Sequence, residues 1–235
     1  MARGTQLITL LDMLRGELGR ATSVAVGVDD AEGLKIKLRA RQELLYDDYD
    51  WPFLRERFRK NLLWTERYYD LPTGLNLERI EEAHVWYGNL PRPIERTIEE
   101  QDYAYFNSDN GIVADPVLKW DVRFTGEASS GAPQIELWPV PASNNQYIIW
   151  RGIRNLNPLI ADDDTADLDD QLIVLLTAAE IMEKQGSPSA GTLKKLANGR
   201  LVSMRSRSRG AQQRYRLGMG ASNPDRPNKI VVRAS

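Results

Sequence analysis

The stretch around which the other predicted elements are arranged runs from residue 162 to residue 184, and its apolar side chains have a helical period. Its apolar residues recur three or four positions apart, which is the spacing that places side chains on one face of a helix. These residues are Leu168, Leu172, Leu175, Leu176, Ala179 and Met182. Other apolar residues occupy the flanking positions, so we expect this helix to be enclosed on nearly all sides.

Aspartates crowd the entrance to this helix. A carboxylate near the free N–H groups of a first helical turn caps the turn and is favoured by the helix dipole. We therefore predict that five of them cap the helix, namely Asp163, Asp164, Asp167, Asp169 and Asp170. Gly186 is the predicted end, and Ser187 followed by Pro188 predicts the cap and first residue of another helix.

Three more helices follow from the same kind of pattern. Residues 5–18 place leucines on one face, and Gly19 closes that helix. A second helix is predicted to begin at a cap formed by Asp29 or Asp30 and to end at Pro52, because a residue before proline is pushed out of the helical region. The last helix is expected from residue 188 to about residue 207.

From Phe58 onward the apolar pattern changes to the alternation typical of strands. The predicted strands are residues 58–64, 67–71, 78–87, 119–125, 134–140 and 146–153. The segment Pro-Ala-Ser-Asn-Asn at 141–145 predicts a hairpin turn. Residues 92–102 fit either a helical turn or a strand. We expect an antiparallel sheet or a small sandwich inserted between helical segments.

These elements predict an α+β fold in which a helical bundle, made of N-terminal helices and two C-terminal helices, carries an inserted antiparallel β domain and an extended C-terminal tail. The predicted parts are residues 1–55, with the first helices, and residues 56–155, with the β insertion. They are followed by residues 156–209, with the central and final helices, and by residues 210–235, an extended partner-binding tail. Aromatic residues at the first junction are predicted to form a packing joint, namely Tyr46, Tyr49, Trp51, Phe53 and Phe58.

Composition removes several classes of chemistry. The 235 residues are 42% hydrophobic and include no cysteine, which excludes disulfides, thiol nucleophiles, zinc–thiolate sites and iron–sulfur clusters. The longest uninterrupted apolar run is too short to cross a bilayer. The apolar residues near the N-terminus are interrupted by charges too soon for a signal peptide, so we expect the protein to stay in the compartment where it is made.

Charge is divided unevenly along the chain. Residues 187–235 hold eleven basic residues and one acid, a net charge of +10, and because the whole chain carries −2, residues 1–186 carry −12. The last 26 residues have no apolar period and are expected to become ordered only on a partner. That partner could be nucleic acid or an acidic protein surface. The predicted partner-binding residues are Arg205, Arg207, Arg209, Arg214, Tyr215, Arg216, Lys229, Ile230, Val231 and Val232.

Candidate catalytic residues are few. The single histidine, His84, falls in a predicted strand and is interpreted as structural. Asp162, Asp164 and Asp167 lack the spacing of a calcium loop, and no phosphate-loop, nucleophile-elbow or zinc-protease motif occurs. The carboxylate pairs Glu81–Glu82 and Glu99–Glu100 are interpreted as solvated surface, and the six tryptophans as core. We therefore expect no enzymatic activity, no metal and no cofactor.

Four segments carry a resemblance to a known family. They are Tyr49-Asp50-Trp51-Pro52-Phe53-Leu54, Tyr69-Asp70-Leu71-Pro72, Ile135-Glu136-Leu137-Trp138-Pro139-Val140-Pro141, and the aspartates at 163, 164, 169 and 170 before the apolar helix. Over residues 5–190 the chain resembles the head-to-tail adaptor, or connector, proteins of short-tailed bacteriophages. These motifs are structural, and no reaction is attached to them.

The resemblance implies a virion protein, assembled in the host cytoplasm, that forms a ring of twelve identical subunits beneath the portal protein. Such a ring extends the channel through which DNA passes without specific binding, and it supports the tail nozzle or fibres, away from any membrane. Two other interpretations stay open. One is a nucleic-acid-binding accessory protein that uses the arginine-rich C-terminal segment. The other is a carbohydrate-binding or enzymatic virion component, which requires a cleft with exposed tryptophan and paired acids.

Overall fold

The computed structural model describes residues 3–20, 28–124 and 132–210, and over these ranges the chain is α+β. The helices are α1 (Leu7–Glu17), α2 (Val28–Asp47), α3 (Glu100–Tyr105), α4 (Asp170–Lys184) and α5 (Ala190–Gly210). The strands are β1 (Arg55–Asn61), β2 (Tyr68–Asp70), β3 (Leu75–Tyr87), β4 (Leu90–Pro93), β5 (Glu95–Arg96), β6 (Lys119–Arg123), β7 (Gln134–Trp138) and β8 (Gln146–Arg154). The predicted α+β class is confirmed.

Helix α4 lies at the centre of a helical core. It contacts α1, α2 and α5, and the apolar faces of all four helices belong to one buried cluster. Leu172, Ile173, Val174, Ala178 and Ile181 of α4 are buried, so the predicted enclosure on nearly all sides is confirmed. The predicted stop is confirmed as well, because Gly186 follows the helix with a φ of 69°.

The predicted aspartate cap is correct only in part. Helix α4 begins at Asp170, and Asp169 is its N-cap, accepting a hydrogen bond from the Leu172 N–H at 2.9 Å. The earlier aspartates lie in the preceding loop, where two of them satisfy other donors. Asp164 accepts from the N–H groups of Ile160 and Ala161, and Asp167 pairs with Arg154. The chain stays in a loop before Asp170 because the loop backbone is hydrogen-bonded to the start of α1, as in the bond from the Leu7 N–H to the Asp164 carbonyl.

Three other helix boundaries differ from the predicted ones. Helix α2 begins at Val28, so Asp29 and Asp30 are inside its first turn and do not precede it as caps. The same helix ends at Asp47, before Pro52, because Trp51 folds back and donates its indole N–H to the Leu45 carbonyl at 2.9 Å. That bond satisfies a carbonyl that the end of the helix leaves without a partner. Helix α5 begins two residues after Pro188.

The strands form two four-stranded sheets that pack face to face. The first sheet has the order β1-β8-β3-β4 and is antiparallel, while the second has the order β2-β7-β6-β5 and includes one parallel pair, β5 with β6. Both sheets contribute to a second buried core, separate from the helical one. Trp120 of the second sheet meets Trp150 of the first edge to face, with ring centroids 6.4 Å apart. The sandwich expectation is confirmed.

The predicted hairpin at residues 141–145 is wrong. Strand β7 pairs with β2 and β6 in the second sheet, whereas β8 pairs with β1 and β3 in the first, so this connection crosses between sheets. Residues 141–145 are of the types that form turns, but which strands pair on either side of them depends on which apolar faces pack together. The ambiguous residues 92–102 divide among the end of β4, all of β5 and the start of α3.

The aromatic residues divide between the two cores and the surface. Tyr49, Trp51 and Phe53 pack together as the predicted joint, while Phe58 packs against the sandwich core. The expectation that every tryptophan is in a core is wrong for two of them. Trp64 is 61% exposed, and Trp86 is half-buried on the outer face of the first sheet.

The Asp169–Arg200 pair tests how α4 is held. Asp169 is 0% exposed and accepts two hydrogen bonds from the Arg200 guanidinium, at 2.6 and 2.7 Å. Asp169→Ala removes both the cap and the partner of Arg200, and we expect a loss of about 3 kcal/mol in the free energy of unfolding, measured with urea. Asp163→Ala, at an exposed loop position, is the control and should change little. Equal losses in the two variants would contradict the role of the cap.

Candidate functional site

An open groove lies on the outer face of the first sheet. Side chains alternate along a strand, so Phe58 and Trp150 face the core while Arg57 and Ile149 face outward. The groove has a volume of about 480 Å³. Its polar lining residues are Arg57, Glu82, His84 and Arg151, and its apolar lining residues are Trp86, Pro91, Pro93 and Ile149.

Stacked side chains occupy the same outer face beside the groove. The rings of Trp86 and Tyr147 are stacked with centroids 5.9 Å apart and an angle of 8° between their planes. The Arg59 guanidinium lies 3.8 Å from the centroid of the Tyr147 ring. A cation over an aromatic face is attracted by the ring quadrupole, so this stack is held in place before any ligand arrives.

The groove carries an excess of positive charge. Arg55 bonds to Glu81 at 2.6 Å, and Arg151 lies 3.8 Å from the carboxylate of Glu81 and from that of Glu82. The side chain of Arg57 is exposed and forms no ion pair or hydrogen bond with another residue in the ranges given above. With Arg59 included, four arginines face two glutamates. Arg57 is therefore the cation with no partner of its own.

Helix α3 covers the outer face of the second sheet, which is the opposite side of the sandwich. Glu136 of β7 faces outward there but is only 1% exposed, because α3 lies over it. It accepts hydrogen bonds from Arg67 at 2.8 Å, from Arg123 at 2.9 Å and from the Tyr103 hydroxyl at 2.7 Å. This network fixes α3 on the sheet.

The pKa values around Glu136 favour a structural role for the network. Burial opposes the charged form of Arg67, but hydrogen bonds to Asp109 and Glu136 outweigh it, so the pKa of Arg67 is raised. Burial and the hydrogen bond to Glu136 both raise the pKa of the Tyr103 phenol. The arginines therefore stay charged and the phenol stays protonated near neutral pH.

The outward side of α3 is acidic and carries an aromatic ring. Tyr105 is 79% exposed, and Glu99, Glu100, Gln101 and Ala104 beside it are exposed too. We call these five residues the α3 knob. A capping box between Glu99 and Asp102 fixes the start of the helix, and Lys119 bonds to both carboxylate oxygens of Asp102 at 2.9 Å. The knob is therefore anchored through Asp102, which binds Lys119 below it and the Glu99 N–H at the start of the helix.

The predicted partner-binding residues occupy different situations. Arg205 pairs with Asp48 and lies over the Tyr49 ring at 5.0 Å, so it is engaged within its own chain. Arg207 is exposed on α5 and has no partner among the residues whose positions are described. Arg209 lies in α5, but its side chain and the rest of the predicted set are outside the described residues: Arg214, Tyr215, Arg216, Lys229, Ile230, Val231 and Val232.

The division of charge along the chain is partly neutralised by contacts within the chain. Arg200 pairs with Asp169, Lys194 lies 3.3 Å from Glu183, and Arg205 pairs with Asp48. Three basic residues of α5 therefore meet acids from earlier in the sequence. Only a spatial pairing could show this, because the partners of two of them lie 31 and 157 positions away.

Other chemistry expected from the sequence can be placed directly. His84 lines the groove and does not lie in a core, because its strand position faces outward. Within residues 3–20, 28–124 and 132–210, no group of three or more histidines, aspartates or glutamates is arranged to hold a metal ion. None of the helices in these ranges is long and apolar enough to cross a bilayer.

Both surfaces of the sandwich were missed by reasoning from sequence. One signal was present, since Arg55, Arg57 and Arg59 alternate around Phe58 and thus share the face opposite to a core residue. Trp86 and Tyr147 join them only through strand pairing. No protein-family model matches the chain, and a search of curated proteins returns no match either.

Asp102 makes the anchoring of α3 dependent on pH. Burial opposes its ionisation, but hydrogen bonds from Lys119 and from the Glu99 N–H outweigh it, so the pKa of Asp102 is lowered. A lowered pKa in the folded state stabilises the protein above the unfolded value of about 4, and this contribution is lost as pH falls through the folded-state pKa. We expect Asp102→Asn to be less stable than the wild type at neutral pH by about 1–2 kcal/mol, and the difference to shrink in acid.

Urea unfolding of both proteins between neutral and acidic pH measures this difference. Asp163→Asn, which changes an exposed aspartate, should follow the wild type at every pH. A stability difference between Asp102→Asn and the wild type that does not vary with pH would show that the Lys119–Asp102 pair is not its source.

Proposed function

We propose that this chain is a structural virion protein, a head-to-tail adaptor that forms a ring between the portal and the tail of a bacteriophage. The observation that carries the proposal is that the exposed surfaces of the chain are separated from one another, because they lie over two different buried cores. The helical core ends in α5 with the exposed Arg207, and the sandwich core has two outer faces of opposite charge. A ring subunit needs such separate surfaces, because it meets two neighbours and the rings above and below.

In the proposed arrangement, α1, α2, α4 and α5 form a helical bundle into which the antiparallel β domain is inserted. The bundle hypothesis is supported by the contacts of α4 with the other three helices. The tail predicted at residues 210–235, whose first residue ends α5, is proposed to reach a portal subunit, where its basic residues would meet acidic ones. This role needs no catalytic residue and no cofactor.

Twelve subunits would enclose a channel that continues the one in the portal. Phosphate contacts supply most of the non-specific affinity of proteins for DNA, so an acidic channel wall would let DNA pass without binding it. Residues 1–186 carry the excess of acidic charge that such a wall requires. The opposite end of the ring would support nozzle or fibre proteins, in a virion assembled in the host cytoplasm.

Deleting residues 211–235 tests the docking role of the tail. The deletion leaves both described cores intact, so we expect the same circular dichroism and the same urea midpoint as the full chain. We expect the truncated protein to fail to join portal rings of the cognate phage, because five of the basic residues after position 186 are removed. Electron microscopy of the mixtures for a stacked ring, together with sedimentation, measures the result.

Two point variants on α5 sharpen this test. Arg207→Glu reverses an exposed charge with no described partner and should weaken portal binding, whereas Lys195→Glu makes the same change earlier on the helix and should not. Normal ring joining by the truncated protein would contradict the proposal. DNA binding by the isolated chain, falling steeply with salt and lost with the tail, would instead favour the nucleic-acid-binding accessory protein.

A further inference from the structure

We infer that neighbouring copies of this chain associate head to tail through their sandwiches, with the groove of one copy receiving the α3 knob of the next. This inference rests on the proposed ring and names the surfaces that would build it. The groove lies on the outer face of the first sheet, and the knob lies on the outer face of the second.

The positions of the two surfaces favour contact between copies over contact within one copy. The sheets pack face to face around a shared core, so their outer faces point in opposite directions. A groove and a knob on opposite sides cannot meet in one molecule, but they can meet repeatedly from one molecule to the next. Such a contact joins two different surfaces, and it closes into a ring when the rotation between copies allows it.

The chemistry of the two surfaces is complementary. Arg57 in the groove has no described partner, and the knob presents the Glu100 carboxylate, beside that of Glu99, which also caps α3. Tyr105 is the most exposed large apolar side chain named in the described residues, and the groove offers Trp86 and two prolines to its ring. Tyrosine, tryptophan and arginine are the residues that dominate the energetics of protein interfaces.

A single-stranded nucleic acid is the main competing occupant, because arginines beside stacked aromatic rings also suit bases and phosphates. Glu81 and Glu82 argue against it, since both carboxylates lie among the arginines and would repel a phosphate chain. An acidic protein knob needs only one or two arginines, at one end of the groove, to pair with its carboxylates. The acidic knob of a second copy therefore fits better.

Cysteine crosslinking tests the contact directly, because the chain contains no cysteine of its own. Pro93→Cys places a thiol at the groove and Ala104→Cys places one on the knob, and both leave Arg57, Trp86 and Tyr105 unchanged. We expect a bismaleimide to join the two variants when they are mixed, and neither variant to join to itself. Val202→Cys, at a position 66% exposed on α5, is the control and should join to neither.

Charge reversal then tests the chemistry of the contact. Arg57→Glu in the groove variant, or Tyr105→Ala in the knob variant, should lower the crosslinking yield about tenfold, as expected for the loss of one strong contact. Combining Arg57→Glu in one copy with Glu100→Arg in the other should restore it. Lys195→Glu is the matched charge reversal away from both surfaces and should have no effect. Unchanged urea midpoints show that each variant is folded.

Several results would overturn the inference. These are crosslinking of either single variant to itself, equal crosslinking to Val202→Cys, and absence of the mixed product on portal rings that have bound the chain. The last result would contradict the contact between copies but not the adaptor role. A mixed product from a chain that never binds portal would contradict only the adaptor role. Binding of a labelled thymidine oligomer that is lost in Trp86→Ala but kept in Trp64→Ala would assign the groove to nucleic acid.

Discussion

The burial of α4 is the constraint on which the rest of the structure depends. Its apolar residues occupy nearly the whole circumference, so it is stable only when other helices surround it. Helices α1, α2 and α5 supply that enclosure from both ends of the chain, and Asp169 at its N-cap binds Arg200 of α5. Leu54 and Ile153, at the two ends of the segment that forms the sandwich, both belong to this helical core.

The sandwich is stabilised differently from the helical core. Its centre is apolar and aromatic, but one outer face holds a buried carboxylate. Two arginines form ion pairs with this carboxylate, and a tyrosine hydroxyl donates a hydrogen bond to it. A buried charge is tolerated only when it is paired and hydrogen-bonded, so this network determines where α3 lies. By fixing α3, Glu136 also fixes the direction in which Tyr105 and the neighbouring carboxylates are presented.

These two features relate the fold to the proposed role. An adaptor must stay rigid while several partners hold it at once, and two packed cores, joined through contacts of residues 52–54 with β8, supply surfaces on separate sides. The basic residues of α5 divide between internal pairs and free positions, as Arg205 and Arg207 show. The internal pairs hold α5 against the body, and the free positions leave charge for a partner.

The sequence alone determined the elements whose signals are local. The apolar period of α4, the leucine face of α1 and the alternation in β6 each lie within a few turns or residues, and each led to the correct element. Helix boundaries were less accurate where a tertiary contact competed, as in the aspartates that bind loop N–H groups before α4 and the Trp51 indole that ends α2.

Only the tertiary structure decided what depends on residues far apart in the chain. The turn before β8 was evident from its residues, but whether it joined one sheet or two depended on which apolar faces were buried together. The groove and the α3 knob were hidden for the same reason, since strand pairing brings Arg57, Trp86 and Tyr147 onto one face from segments separated by dozens of residues. The period of apolar residues shows which side of an element is buried, whereas the packing of the whole chain decides which strands become neighbours in a sheet.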